Sequence, residues 1–167
     1  MAEFFESLVK EIVEFDRQGF KSYRFEKGIC ELKNIDEARA AIACQKQRLL
    51  GNLIRDASGV GDFIETAINQ TWDVKAAKSF AVNGKPIFDS EKLAEVFVNS
   101  LIAELKKPTN ENIILSIGQL EKTSHEMLYN KMKQMLSNSE LQRILVVDEF
   151  NPVNSKTTQE LLKFLGH

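Results

Sequence analysis

The last third of the chain constrains the fold most. Two short apolar runs, "NIILSIG" from Asn112 and "ILVV" from Ile144, are separated by one helix-length segment and followed by another. Thr123 and Glu126 stand at capping-box spacing before the first segment, whose Leu128, Met132, Met135 and Leu136 recur at helical intervals. Asn154 or Ser155 opens the second, which carries Leu161, Leu162 and Leu165 and closes at Gly166. Consecutive strands joined by such a helix pair in parallel with a right-handed crossover. The spacing therefore predicts a βαβα unit with strands near 113–117 and 144–147. The class it implies is α/β, with α+β as the alternative.

Upstream, helical periodicity dominates. Phe4, Leu8, Ile12 and Phe15 share one helix face that Gly19 ends, and "KSYRFEKGICELK" reads as a small hairpin turning at Glu26-Lys27-Gly28. Asn34 can cap a helix over 35–56 that turns Ile35, Ala38, Ile42, Leu49 and Leu53 inward. "ASGVG" breaks it before a second helix from about Asp62 bearing Phe63, Ala67 and Trp72. Asn83-Gly84 divides two apolar runs as a type I′ hairpin turn near 80–88. Asp89 or Ser90 then caps a helix carrying Leu93, Val96, Phe97, Leu101 and Leu105, which Pro108 stops. The whole reads as one helix-rich domain with a short mixed sheet over residues 1–167. "KKPTNEN" offers a subdivision into a mainly helical 1–107 and a βαβα 108–167.

At 167 residues and 43% hydrophobic, the chain buries one sizeable core and not comfortably two. Its net charge of −2 supplies no overall field toward nucleic acid or anionic membrane. Glu3, Glu6, Lys10, Glu11 and Glu14 interrupt the opening segment, and no apolar run is long enough to span a bilayer, so a cytoplasmic location without membrane attachment is expected. Cys30 and Cys44 have no CxxC spacing and no histidine cluster beside them, which suits reduced, packed thiols.

Two stretches carry resemblances to catalytic families. "LQRILVVDEF" resembles the Walker B strand of P-loop nucleotidases, in which an Asp holds magnesium and a Glu primes a water; the matching residues are Asp148 and Glu149. No G-x-x-x-x-G-K-[ST] run accompanies it, and the apolar run equally suits a strand buried on both faces. On that reading the two acids are exposed or cap the chain entering "NPVNSK", and Asp148→Asn costs no more than about half a kcal/mol. "ICELKN" resembles the Glu-x-Lys strand of the restriction-endonuclease superfamily, whose Glu binds a divalent metal and whose Lys steadies the attacked phosphate or the water. Glu31 and Lys33 are the matching residues, and a helix with Gln45 and Gln47 follows. The family also needs an Asp from a neighbouring strand, whereas Asp16 falls on a helix and the same tripeptide recurs at Glu104 to Lys106 on an amphipathic helix.

Other chemistries find less. "HEMLY" begins as the H-E-x-x-H zinc motif does but has Tyr129 in the second ligand position, and the chain's other histidine is His167. No G-x-S-x-G elbow occurs. With no complete constellation, the expectation is a non-enzymatic module whose partner is another protein: an accessory subunit, an inhibitor or immunity protein, or an adaptor. It carries no cofactor and no metal on this reading. The alternatives are a metal-dependent nuclease-like domain using Glu31 and Lys33, and a degenerate nucleotide-binding domain using Asp148 and Glu149.

Overall fold

The computed structural model describes Lys10, residues 32–81 and residues 83–165; the helix and hairpin expected before residue 32 lie outside this range. In chain order the elements are α1 (Leu32–Lys46), β1 (Leu53–Arg55), β2 (Phe63–Glu65), β3 (Gln70–Ala76), α2 (Glu91–Leu105), β4 (Asn112–Ser116), α3 (Lys122–Met135), α4 (Asn138–Leu141), β5 (Ile144–Val147) and α5 (Pro152–Leu165). All five strands form one mixed sheet in the order β1-β2-β3-β4-β5. β1, β2 and β3 are an antiparallel meander, and β3, β4 and β5 run parallel. This is the helix-rich α/β class expected, with the βαβα unit at its C-terminal end.

The apolar runs explain the layering. A strand covered on both faces has no polar side to show, and β4 is such a strand. Ile113 and Leu115 meet Ala94, Val98 and Leu101 of α2 and Leu128 and Met132 of α3, while Ile114 joins Val147, Trp72 and the alanines of α1 on the opposite face. Ser90 caps α2, its hydroxyl accepting the Leu93 N–H, as its position before the apolar face led one to expect. α3 begins at Lys122 without a side-chain cap, and the capping box belongs to Ser137 and Glu140 at the start of α4. The hairpin near 80–88 is minimal: one antiparallel bridge joins Phe80 to Pro86, with Gly84 at φ +81 in the turn.

Residues 47–76 differ from expectation. The helix predicted to reach Asp56 ends at Lys46, where Arg48 takes φ +56 and the N–H groups of both Leu49 and Leu50 bond the Cys44 carbonyl. Leu53 serves β1 instead. The helix expected from Asp62 is the β2–β3 hairpin, in which Phe63 and Trp72 are cross-strand partners buried against α1. Strands of three residues are too short to show a period, so two apolar residues that face each other across a ladder passed for residues on one helix. Among the described residues, no helix is long and apolar enough to cross a membrane.

Candidate active site

The loop from Asp56 to Gly61 is folded by Asp56. Its carboxylate accepts the Ser58 N–H at 2.9 Å, the Ser58 hydroxyl at 2.6 Å and the Gly61 N–H at 3.0 Å, and its own N–H bonds the Asp62 carbonyl. Against the effect of its burial, these donors hold Asp56 below the usual carboxylate range. The loop returns over β3 so closely that a Cβ on Gly61 would stand 2.3 Å from the Thr71 methyl group, and 3.2 Å from both the Trp72 carbonyl and a Glu111 oxygen. Only glycine passes there without displacing a neighbour.

Asp62 follows. Its N–H bonds the Trp72 carbonyl, and its carboxylate accepts the Val74 N–H at 2.7 Å, taking a ladder bond that a longer β2 would have made. β3 alternates strictly at this point: Trp72 and Val74 enter the core beneath α1, so Asp73 and Lys75 project from the other face. The Asp62 and Asp73 carboxyls lie side by side, close enough that each influences the other's proton. The Lys75 Nζ lies 3.4 Å from Asp73 Oδ2 and 3.7 Å from Glu104 Oε2, and Lys107 Nζ lies 2.8 Å from that same Glu104 oxygen.

Charge is crowded here. Burial, followed by the charge and close contact of Asp62, pushes Asp73 up to about 7, and burial and the nearby Glu37 raise Asp62 as well. Glu111, wholly buried just before β4, lies against the Glu104 carboxyl; burial and then that contact push it up to about 7. Glu37 of α1 is itself held by Arg55 at 2.8 Å, whose guanidinium stacks over the Phe63 ring. Among the described residues no three carboxylate, thiol or imidazole groups converge as a closed metal cage. Asp62 and Asp73 do fit an open seat, because magnesium is commonly held by one or two carboxylates and fills its shell with water and substrate phosphate.

The residues singled out in the sequence lie elsewhere. Lys33 belongs to α1 and not to a strand, since the helix already begins at Leu32; Glu31 lies outside the described residues. A strand with an Asp and a Lys two residues apart, and an Asp brought up beside it, occurs instead at Asp73-Val74-Lys75 and Asp62. The signal was present in "TWDVKA", an alternation of apolar and polar residues hidden by the helix assigned across it.

Asp148 is one of the buried residues rather than a surface acid. Its carboxylate accepts the N–H groups of Phe150 and Asn151 and the Asn154 amide, each at 2.9 Å, and so caps the chain into α5. Glu149 turns back to the Ser116 hydroxyl and the Gly118 N–H, and burial raises its pKa. Both acids are occupied in joining β5 to its surroundings. Comparison with family models, with curated proteins and with solved structures finds no match to this chain.

Proposed function

We propose that the chain is a metal-dependent nuclease whose catalytic residues are Asp62, Asp73 and Lys75. One observation carries the reading: Asp73 and Lys75 on β3, with Nζ 3.4 Å from the Asp73 carboxylate, stand beside Asp62, the residue before β2, which reaches the same strand by accepting the Val74 N–H. Two desolvated acids side by side offer a divalent metal ion two carboxylate ligands. When bound, such an ion polarises a phosphodiester and generates a nucleophile from water at neutral pH. Asp62 and Asp73 would hold it. Lys75, partly exposed and beside Asp73, presents a positive charge to the attacked phosphate.

The expectation of a purely protein-binding module rested on the lack of such a constellation, and these three residues remove that ground. A net charge of −2 supplies no general field toward a polyanion, so contact with one would rest on local groups and the metal. A cytosolic site of action is part of the proposal and suits the buried thiol of Cys44. The test is calorimetric titration with Mn2+ alongside cleavage of single- and double-stranded DNA and RNA in Mg2+. Asp73→Asn should abolish both cleavage and binding while leaving the fold intact. Full cleavage by that variant, or a wild-type protein that neither binds Mn2+ nor cuts any of the four substrates, would overturn the reading.

A further inference from the structure

Glu104 sits on the face of α2 that otherwise gives Ala94, Val98, Leu101 and Leu105 to the core. A carboxylate there is unfavourable unless paired. Lys107 reaches it from the same helix end, but Lys107 is half exposed, and a pair of that kind forms equally well on the surface. Burial accomplishes something else: it suspends a negative charge over β3, within 3.7 Å of the Lys75 ammonium. Lys75 thus lies between two acids, Asp73 on its own strand and Glu104 on the helix above.

We infer that Glu104 is a positioning residue that, together with Asp73, keeps the Lys75 ammonium at the edge of the Asp62–Asp73 pair. A partly exposed lysine with one acidic partner is free to swing into solvent away from the phosphate. A second acid 3.7 Å from the ammonium limits that swing. The inference rests on the nuclease reading for what Lys75 does, and on geometry alone for where Lys75 is held.

A double-mutant cycle of Glu104→Gln and Lys75→Gln tests it with two readouts. Nitrogen-15 relaxation of the Lys75 ammonium in folded, metal-free protein should show an ordered group in the wild type and a mobile one in Glu104→Gln. Equal mobility in both overturns the inference, whatever the protein cleaves. In cleavage assays with Mg2+, Glu104→Gln should lower kcat by about ten- to a hundredfold while KM holds, and the double variant should be no slower than Lys75→Gln alone. Additive losses would show that Glu104 acts apart from Lys75 and would overturn the inference too. So would a Lys107→Met variant that reproduces the loss; the expected change there is within roughly twofold. A wild-type protein whose Lys75 is ordered through Glu104, yet which cuts no polynucleotide, would defeat the nuclease reading and uphold the positioning.

Discussion

The Asp62 carboxylate accepts the backbone N–H of Val74 at 2.7 Å while facing Asp73, so one side chain both ends the β2 ladder and completes a pair of acids. Position and chemistry are coupled in that bond. The acid cannot move far without freeing a buried N–H, and the strand cannot lengthen without losing the acid.

Gly61 is where this arrangement is most easily broken. Gly61→Ala places a methyl group 2.3 Å from the Thr71 Cγ2, and the loop must lift. The expected cost is about 1–3 kcal/mol by urea denaturation, as for other overpacked sites, with weakened Mn2+ binding as Asp62 shifts. Thr71→Ser removes the clashing methyl group and should restore part of both losses. If Gly61→Ala alone binds Mn2+ as tightly as the wild type, the loop does not position Asp62.

Asp148 caps the chain entering α5, one of the two places the sequence offered it, but does so buried and not at the surface. With its three accepted bonds at the start of α5, Asp148→Ala should lower stability by about 2 kcal/mol. Urea denaturation monitored by Trp72 fluorescence measures it. A loss under half that size would mean water replaces the cap.

Glu111 makes a prediction for pH. Its carboxyl is raised to about 7 from the ordinary 4.5, so the folded state holds its proton more tightly than the unfolded chain does. The stability this contributes is complete below about 4.5 and is lost as pH rises through about 7. Metal-free wild-type protein should therefore weaken from pH 5 to 8. Glu111→Gln should weaken less, with a difference in slope approaching one proton, about 1.4 kcal/mol per pH unit. Parallel pH profiles for the two proteins would show that the buried carboxyl ionises freely.

Arg55 and Glu37 form a buried pair that ties β1 to α1. Arg55→Met alone strands the Glu37 charge and should cost about 3 kcal/mol, whereas Arg55→Met with Glu37→Leu should recover most of it. Thermal melting of the three variants checks the order. A double variant no better than the single would assign the loss to the Phe63 ring contact.

What the sequence made legible was the part governed by long periodic segments. α2, α3, β4, β5 and α5 declare themselves because each buries enough apolar residues at one spacing to exclude the other. Val146, expected in the core, is fully buried there. The site was not legible, for a related reason. β1 and β2 have three residues each and are strands only because β3 pairs with them, while the Phe63–Trp72 contact that joins β2 to β3 looks helical along the chain. Asp73-Val74-Lys75 alternates as a strand should, yet its meaning depends on Asp62, which reaches it through a loop closed by Asp56 and Gly61. Local pattern reading does not see such a closure. Short acid-x-Lys matches recur at Glu31 and Glu104, and only the ladder distinguishes the one that meets a second acid.

β3 is the seam of the sheet, antiparallel to the strand made before it and parallel to one made much later, since Trp72 pairs with Asn112 across the whole of α2. Glu104 and Glu111 come from that same intervening stretch. During synthesis the meander can form while Asp73 and Lys75 still hang on an open edge, with neither the helix above nor the strand beside them. The Asp62–Asp73 pair would then face water, without the burial that raises both carboxyls in the finished fold. The Asp62–Asp73 pair can thus stand in place on the meander first, while Glu104, which flanks Lys75, joins it only with the chain that follows.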